Sequence, residues 1–315
     1  MVIDQTVTDD YAIYHGDCVE VMKGLPADSV HFSISSPPFS QLYSYTDATA
    51  DMSNVRSDVE FIEGMEFMVA EMFRVLMPGR LCAFHCMQIP AMKERDGYIG
   101  LKDFRGDLIR LYQRHGFVYN SEVLIWKDPL IEATRTKAIG LMHKQLVKDS
   151  ARSRNGGPDY VVVMGKPGEN PEPITHGAGL DRYIGDPANE PKVAKSGDAR
   201  TNKYSHEVWQ RYASPVWFDI NPSDTLQKQS AREDDDSRHI CPLQLTVIRR
   251  MVELWSNPGD IVLSPFAGIG SEGYVAVDEK RRFVGAELKE SYYRQACANL
   301  AVAVSMRDQG TMFGD

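Results

Sequence analysis

The sequence predicts an α/β protein built on an open, mostly parallel sheet with helices on both faces. Three observations carry this reading. Strand-like runs alternate with helical runs on both sides of a long irregular segment. The buried apolar run "IVLS" leads directly into the glycine-rich loop "PFAGIGSEG" and then a helix. The alternating run "VHFSIS" stops at two consecutive prolines, which fix their own φ and donate no hydrogen bond. A chain of 315 residues accommodates one large α/β domain with an insertion, or two domains.

Taken in order, "YAIYHGD" (11–17) reads as a strand ending in a turn, and "VHFSIS" (30–35) as a strand by alternation. Ser57 and Glu60 form a capping box ahead of Phe61, Met65, Met68, Met72, Phe73 and Leu76, whose spacing describes an amphipathic helix closed by "MPGR". "LCAFHCM" (81–87) is a strand, "DLIRLYQRHG" (107–116) a helix with a glycine stop, and "FVYNSEVLIW" (117–126) and "DYVVVMG" (159–165) are strands. Residues 166–238 are rich in Pro, Gly, Asn and charge, with little periodicity but several aromatics, and read as an irregular insertion. Order returns with a helix over 242–256, proline near its start, followed by "NPGD" as a turn and "IVLS" as a strand. The glycine loop, a strand over 281–288 and a helix over 289–304 complete the pattern.

Composition narrows the function. With 43% hydrophobic residues the chain can bury a substantial core. No apolar run approaches the roughly 18 residues of a membrane span. The acidic, polar start "MVIDQTVTDD" is not a secretory signal, so a cytoplasmic protein is expected. Five scattered cysteines do not form a disulfide framework, and "CAFHC" (82–86) lacks the second ligand pair a zinc site needs, so no metal is expected. Net charge is −9, but basic residues gather in 135–166 and 192–211, the pattern of a phosphate-binding face within an acidic protein.

Two loops carry chemistry. "SSPPF" places carbonyl oxygens and an aromatic ring rigidly at a strand end. In the second, Gly268 and Gly270 allow a sharp turn and close approach to a ligand. Glu287 ends the next strand, 17 residues after Gly270, where an acid accepts hydrogen bonds from ribose hydroxyls. The run G-I-G-S-E-G (268–273) also matches the dinucleotide fingerprint, so this loop alone leaves a dinucleotide open.

The two loops together are more specific. "GDCVEVMKGLPADSVHFSISSPPF", followed far downstream by "SNPGDIVLSPFAGIGSEGYVAV" and "RRFVGAEL", resembles the amino-methylating DNA methyltransferases, in the permuted order with the catalytic motif first, called the β class. The resemblance spans 14–165 and 239–304 and implies a Rossmann-like fold, S-adenosyl-L-methionine (AdoMet) as cofactor and double-stranded DNA as partner. By the same resemblance, Ser36 and the Pro37 carbonyl would accept the hydrogens of an exocyclic amine, Pro38 would stiffen the turn, and Phe39 would stack on a flipped base. Phe266, Ala267, Gly268 and Gly270 would line the cofactor, with Glu287 on its ribose; Asp17 lies where the family also contacts AdoMet, or is a simple turn residue. Three departures stand out: Ser264 replaces the usual Asp, Ser271 the usual Thr, and Leu243 the lysine of the stretch that holds the methionine carboxylate, where Cys241 would contribute through its backbone.

The resemblance divides the chain into a catalytic half (1–165), a target-recognition region (166–238) and an AdoMet-binding half (239–315). Lys192, Lys195, Arg200 and Lys203 are the candidate phosphate contacts, and 40–58 the segment that closes over the flipped base. Ser at the first catalytic position resembles the N4-cytosine enzymes, with N6-adenine the alternative. A dinucleotide-dependent oxidoreductase or a non-catalytic DNA-binding module are the rival classes. Association as a homodimer is left open.

Overall fold

A computed structural model describes residues 2–39, 57–91, 93–136, 139–226 and 243–312. The segment 40–56, most of the expected base-closing loop, and Cys241 lie outside the described residues.

The first half runs β1 (Val2–Val7), β2 (Tyr11–Gly16), α1 (Cys18–Lys23), β3 (Val30–Ser35), α2 (Asp58–Val75), β4 (Leu76–Cys86), β5 (Ile89–Ala91), α3 (Lys93–Asp96), β6 (Gly100–Lys102), α4 (Phe104–Arg114) and β7 (Val118–Ile125). It continues with α5 (Pro129–Thr136), α6 (His143–Lys148), β8 (Asp159–Gly165), α7 (Lys203–Tyr212), β9 (Val216–Trp217), α8 (Leu245–Trp255), β10 (Ile261–Ser264), α9 (Ser271–Asp278), β11 (Arg282–Glu287) and α10 (Glu290–Met312).

Nine strands form one sheet in the order β1-β2-β11-β10-β3-β4-β8-β7-β9, while β5 and β6 pair separately. The five central strands β2, β11, β10, β3 and β4 are mutually parallel. β8 is antiparallel to both β4 and β7, so β7 and its parallel neighbour β9 point the same way as the central strands. The C-terminal ends of β3, β4, β7, β9, β10 and β11 therefore share one edge with the N-terminal end of β8, and in parallel α/β sheets that edge is where ligands bind.

Each face of the sheet has its own core. α8, α9 and α10 cover one through Val247, Met251, Val275, Ala296 and Leu300. α1, α2 and α4 cover the other through Met22, Phe61, Met65, Met68, Leu108 and Tyr112. The Met and Phe stripe of α2 is thus core, and Ser57 caps that helix by accepting from the Glu60 N–H at 3.2 Å.

The segment 166–238 departs from its expected irregularity. Its described part, to 226, contains the ten-residue α7 and contributes β9 to the main sheet. Tyr204, Val208 and Tyr212, spaced i, i+4, i+8, join Leu180 and Ile184 in a small satellite core against α8. The fully buried Arg250 of α8 fastens this layer: its Nε donates to the Ile184 carbonyl at 2.6 Å, its guanidinium pairs with Asp219, and it lies 4.8 Å from the ring centres of both Tyr212 and Trp217. The α7 stripe keeps a helical period, but it is only three residues in an otherwise polar helix and is set among Pro-, Gly- and Asn-rich flanks.

Candidate active site

Ser36 follows the last residue of β3. The parallel register sets Ser35 beside Phe84, so Ser36 emerges next to His85 of β4. Ser36 Oγ lies 3.2 Å from His85 Nδ1, and His85 Nε2 faces Asp159 Oδ2 at 3.3 Å. Lys127, just past β7, pairs with the other oxygen of Asp159. Burial opposes ionisation of Asp159, but the ring N–H of His85 and the Lys127 ammonium favour the carboxylate and hold the carboxyl below its usual range. An ionised carboxylate only accepts, so it favours the ring proton on Nε2 and leaves Nδ1 as an acceptor. The Ser36 hydroxyl then donates to Nδ1, and the lone pairs of Oγ remain for another donor.

This row of side chains adds His85, Asp159 and Lys127 to the residues the motif singled out. Each comes from a different strand end, so no contiguous stretch announces them. The signal was a histidine near the end of an otherwise apolar strand and an aspartate opening another, one half-buried and one buried, polar groups that need partners. Cys82 and Cys86, the other members of that run, are buried, and burial pushes both thiols up. Elsewhere, His31, Glu172 and Asp260 gather within 4.8 Å, but the guanidinium of Arg80 already sits 3.1 Å from Asp260, a poor neighbour for a cation.

Pro37 is buried and Pro38 half-buried. Phe39 differs from the expected free stacking ring. It is 9% exposed and packs on Phe104 with ring centres 6.1 Å apart, because the turn carries it down into the α2–α4 core.

β10 pairs with β3, which brings the glycine loop alongside the proline turn on the same edge. Gly268 and Gly270 have φ of +54° and +85°, a region side chains disfavour. A Cβ on Gly270 would press on Ala296 at 3.1 Å, whereas one on Gly268 would meet nothing within 4 Å among the described residues. The space over Gly268 is therefore open to a ligand. Glu287 ends β11 beside it: one oxygen accepts from the Gly268 N–H and the other from the Lys289 N–H, both at 2.8 Å. A carboxylate can accept several hydrogen bonds at once, so backbone donors and a ribose hydroxyl can share one such group. Among the described residues Ser264 Oγ and Ser271 Oγ are buried without a partner, hydroxyls placed where a polar ligand end would use them. Ala267 is buried under the loop and Phe266 half-buried at its rim. Asp17 follows β2, whose His15 is paired with Glu287, and its carboxylate caps α1 by accepting from the Glu20 N–H at 3.0 Å. The residues present thus fit an adenosine-bearing cofactor.

The four expected phosphate contacts lie elsewhere. Lys203 opens α7, whose Ser205, His206 and Trp209 border a groove with Leu254 and Trp255 at the C-terminal end of α8. α8 ends where β10 is about to begin, at the sheet edge opposite Ser36. Lys195 Nζ lies 4.8 Å over the Tyr204 ring and Arg200 pairs with Asp198, so both belong to the same end, and Lys192 is exposed nearby in the chain. The structure does not bring these residues to the catalytic turn.

Comparison with known proteins agrees with this geometry. The DNA methylase family (N6_N4_Mtase) matches residues 30–298. The DNA adenine methyltransferase YhdJ of Escherichia coli (strain K12) is 25% identical over 92% of this chain and 83% of its own length. The type II methyltransferase M.MjaI of Methanocaldococcus jannaschii is 21% identical over 90% and 89% of the two chains. Among solved structures, PvuII DNA methyltransferase (cytosine-N4-specific) shares the fold with a TM-score of 0.60 at 15% identity, over 98% of this chain and 96% of its own. A Thermus thermophilus protein solved with S-adenosyl-L-methionine shares it with a TM-score of 0.63 at 19% identity, over 94% and 96%. With the family match spanning most of the chain and the proline turn and glycine loop side by side on one sheet edge, the protein belongs to the N6/N4 DNA methylase family, AdoMet-dependent enzymes that methylate amino groups of DNA bases.

Proposed function

We propose that the protein methylates N4 of cytosine in double-stranded DNA, on a base turned out of the helix. The observation that carries this reading is the Ser36–His85–Asp159 row. An exocyclic amine is a weak nucleophile because its lone pair is conjugated with the ring. Ser36 Oγ, its own proton directed to His85, accepts one amine hydrogen, and the Pro37 carbonyl accepts the other. Two fixed acceptors favour a tetrahedral nitrogen and disperse positive charge as it develops. When bound, AdoMet supplies the electrophilic methyl group. As the amine nitrogen gains the methyl it must lose a proton: Ser36 Oγ takes that proton and passes its own to His85 Nδ1. The resulting imidazolium is stabilised by Asp159, and no covalent enzyme intermediate is needed.

Phe266, Ala267, Gly268, Gly270 and Ser271 would hold the adenosine end and Glu287 the ribose, with Ser264 buried beneath the loop and Asp17 at the rim. The division into a catalytic half, a middle region and a cofactor half is part of the same proposal, with the middle region sharing the sheet. N6 of adenine is the second reading, favoured by the similarity to an adenine methyltransferase over 92% of the chain. Transfer of labelled methyl from AdoMet to unmodified duplex DNA, followed by mass spectrometry of the nucleosides, decides. N4-methylcytosine is the expected product, N6-methyladenine replaces the first reading with the second, and no labelled nucleoside at all sinks both.

A further inference from the structure

We propose that duplex DNA docks on the excursion between β7 and β8, through the exposed face of residues 143–154, a placement that rests on the DNA methyltransferase reading. Both ends of this excursion are rooted in the catalytic row, since Lys127 near its start pairs with Asp159 at its end. Residues 126–158 carry seven basic side chains against three acidic ones, a surplus of four positive charges in a chain of net −9. From His143 to Asn155 every residue but Gln145 is exposed. Lys144, Lys148 and Arg154 have no ion-pair partner among the described residues, and Arg152, with 79% of its side chain exposed, pairs only with the exposed Asp149.

Charge alone describes many surfaces. The apolar side chains here are the second observation. Leu146 and Val147, 56% and 76% exposed, stand between Lys144 and Lys148. Trp126 and Phe218, 48% and 69% exposed, leave neighbouring strand ends on the same edge, joined by the Trp126 N–H donating to the Trp217 carbonyl at 3.0 Å. Cations for phosphates interleaved with apolar and aromatic groups for sugars and bases match the chemistry of a nucleic acid.

Reach selects this face over the α7 cluster. A flipped nucleotide turns about its own backbone, so its phosphates stay close to the catalytic turn. The α7 cations sit at the far edge, roughly 20 Å away along the six-residue β3.

The test compares two fourfold variants with the wild type for binding of an unmodified duplex across a salt series, with AdoMet affinity and thermal melting as controls for folding. Replacing Lys144, Lys148, Arg152 and Arg154 by Gln should weaken DNA binding by about tenfold or more and lower the log–log salt slope by about 0.9 for each phosphate contact removed. Replacing Lys192, Lys195, Arg200 and Lys203 by Gln should leave both unchanged. The pair Lys144→Gln and Lys148→Gln provides a milder variant should the first fail to fold, with a proportionately smaller loss expected. Wild-type affinity and slope in the first variant, or loss confined to the second, overturns the proposal and leaves the methyltransferase reading intact. A wild-type protein that binds no duplex overturns the functional reading itself.

Discussion

In its proposed role Ser36 is a hydroxyl where a carboxylate could serve without help, and its value as an acceptor depends on where its proton points. The His85–Asp159 pair favours a direction away from the amine. Ser36→Ala should lower single-turnover methyl transfer by about 100-fold or more while AdoMet affinity is unchanged, since the proposed mechanism sets Ser36 on the amine rather than on the cofactor. His85→Ala should lower the same rate constant with little change in KM for DNA; a KM effect alone would reduce His85 to a structural role. Glu287→Ala should weaken AdoMet binding by roughly 1.5–3 kcal/mol, the range for hydrogen bonds to a charged group. Calorimetry checks this, and an unchanged Kd would place the ribose elsewhere. The turns that hold Ser36, Gly268 and Gly270 were legible in the chain because prolines and glycines have their own backbone logic, whereas a role for Ser36 comes only from the family resemblance. His85 was not, because its tie to Ser36 crosses 49 residues and exists only through the register of β3 and β4.

At the scale of elements, α9 contains an unusual choice. Glu272 is buried in its first turn, and burial, with Glu287 nearby, pushes its carboxyl up to about 8. The folded protein therefore keeps this group protonated where the unfolded chain ionises near its ordinary value. Its contribution is complete below about 4.5 and is lost as pH rises toward 8, at about 1.4 kcal/mol per pH unit in between. Glu272→Gln should remove that slope. Urea denaturation at pH 5, 6 and 7 checks it, and an identical pH dependence in the variant would mean the group is hydrated in the folded state. Elements with strong periodicity or a capping box, such as α2, β3 and β8, sit where their sequences predict. β1 and α7 do not announce themselves: one is an exposed edge strand and the other is held by tertiary partners rather than by its own propensity.

At the scale of the molecule, the middle segment is welded to the sheet rather than appended to it, and Arg250 is the rivet. Arg250→Ala would leave Asp219 and the Ile184 carbonyl without their cation and open space beside Tyr212 and Trp217. A loss of about 3–5 kcal/mol in denaturant unfolding is expected, the usual result of breaking a buried pair from one side. A loss below about 1 kcal/mol would show that this layer is only loosely attached.

The pairing of β3 with β10 has a consequence for how the chain acquires its shape during synthesis. His31, in β3, accepts from the Ile261 N–H of β10 across 230 residues of chain. The ribosome adds about 5–20 residues per second, so β3 waits on the order of 10–50 seconds with one edge unpaired. Contacts this distant in sequence also form slowly once both partners exist, because a long loop must close first. The nascent protein therefore exposes an apolar strand edge until its last quarter emerges, and that edge is a template for mispairing. The proline turn at the end of β3 limits how far such pairing can spread, since neither proline offers a backbone donor. The turn that aims the catalytic acceptors thus also guards the strand while its proper neighbour is still being made.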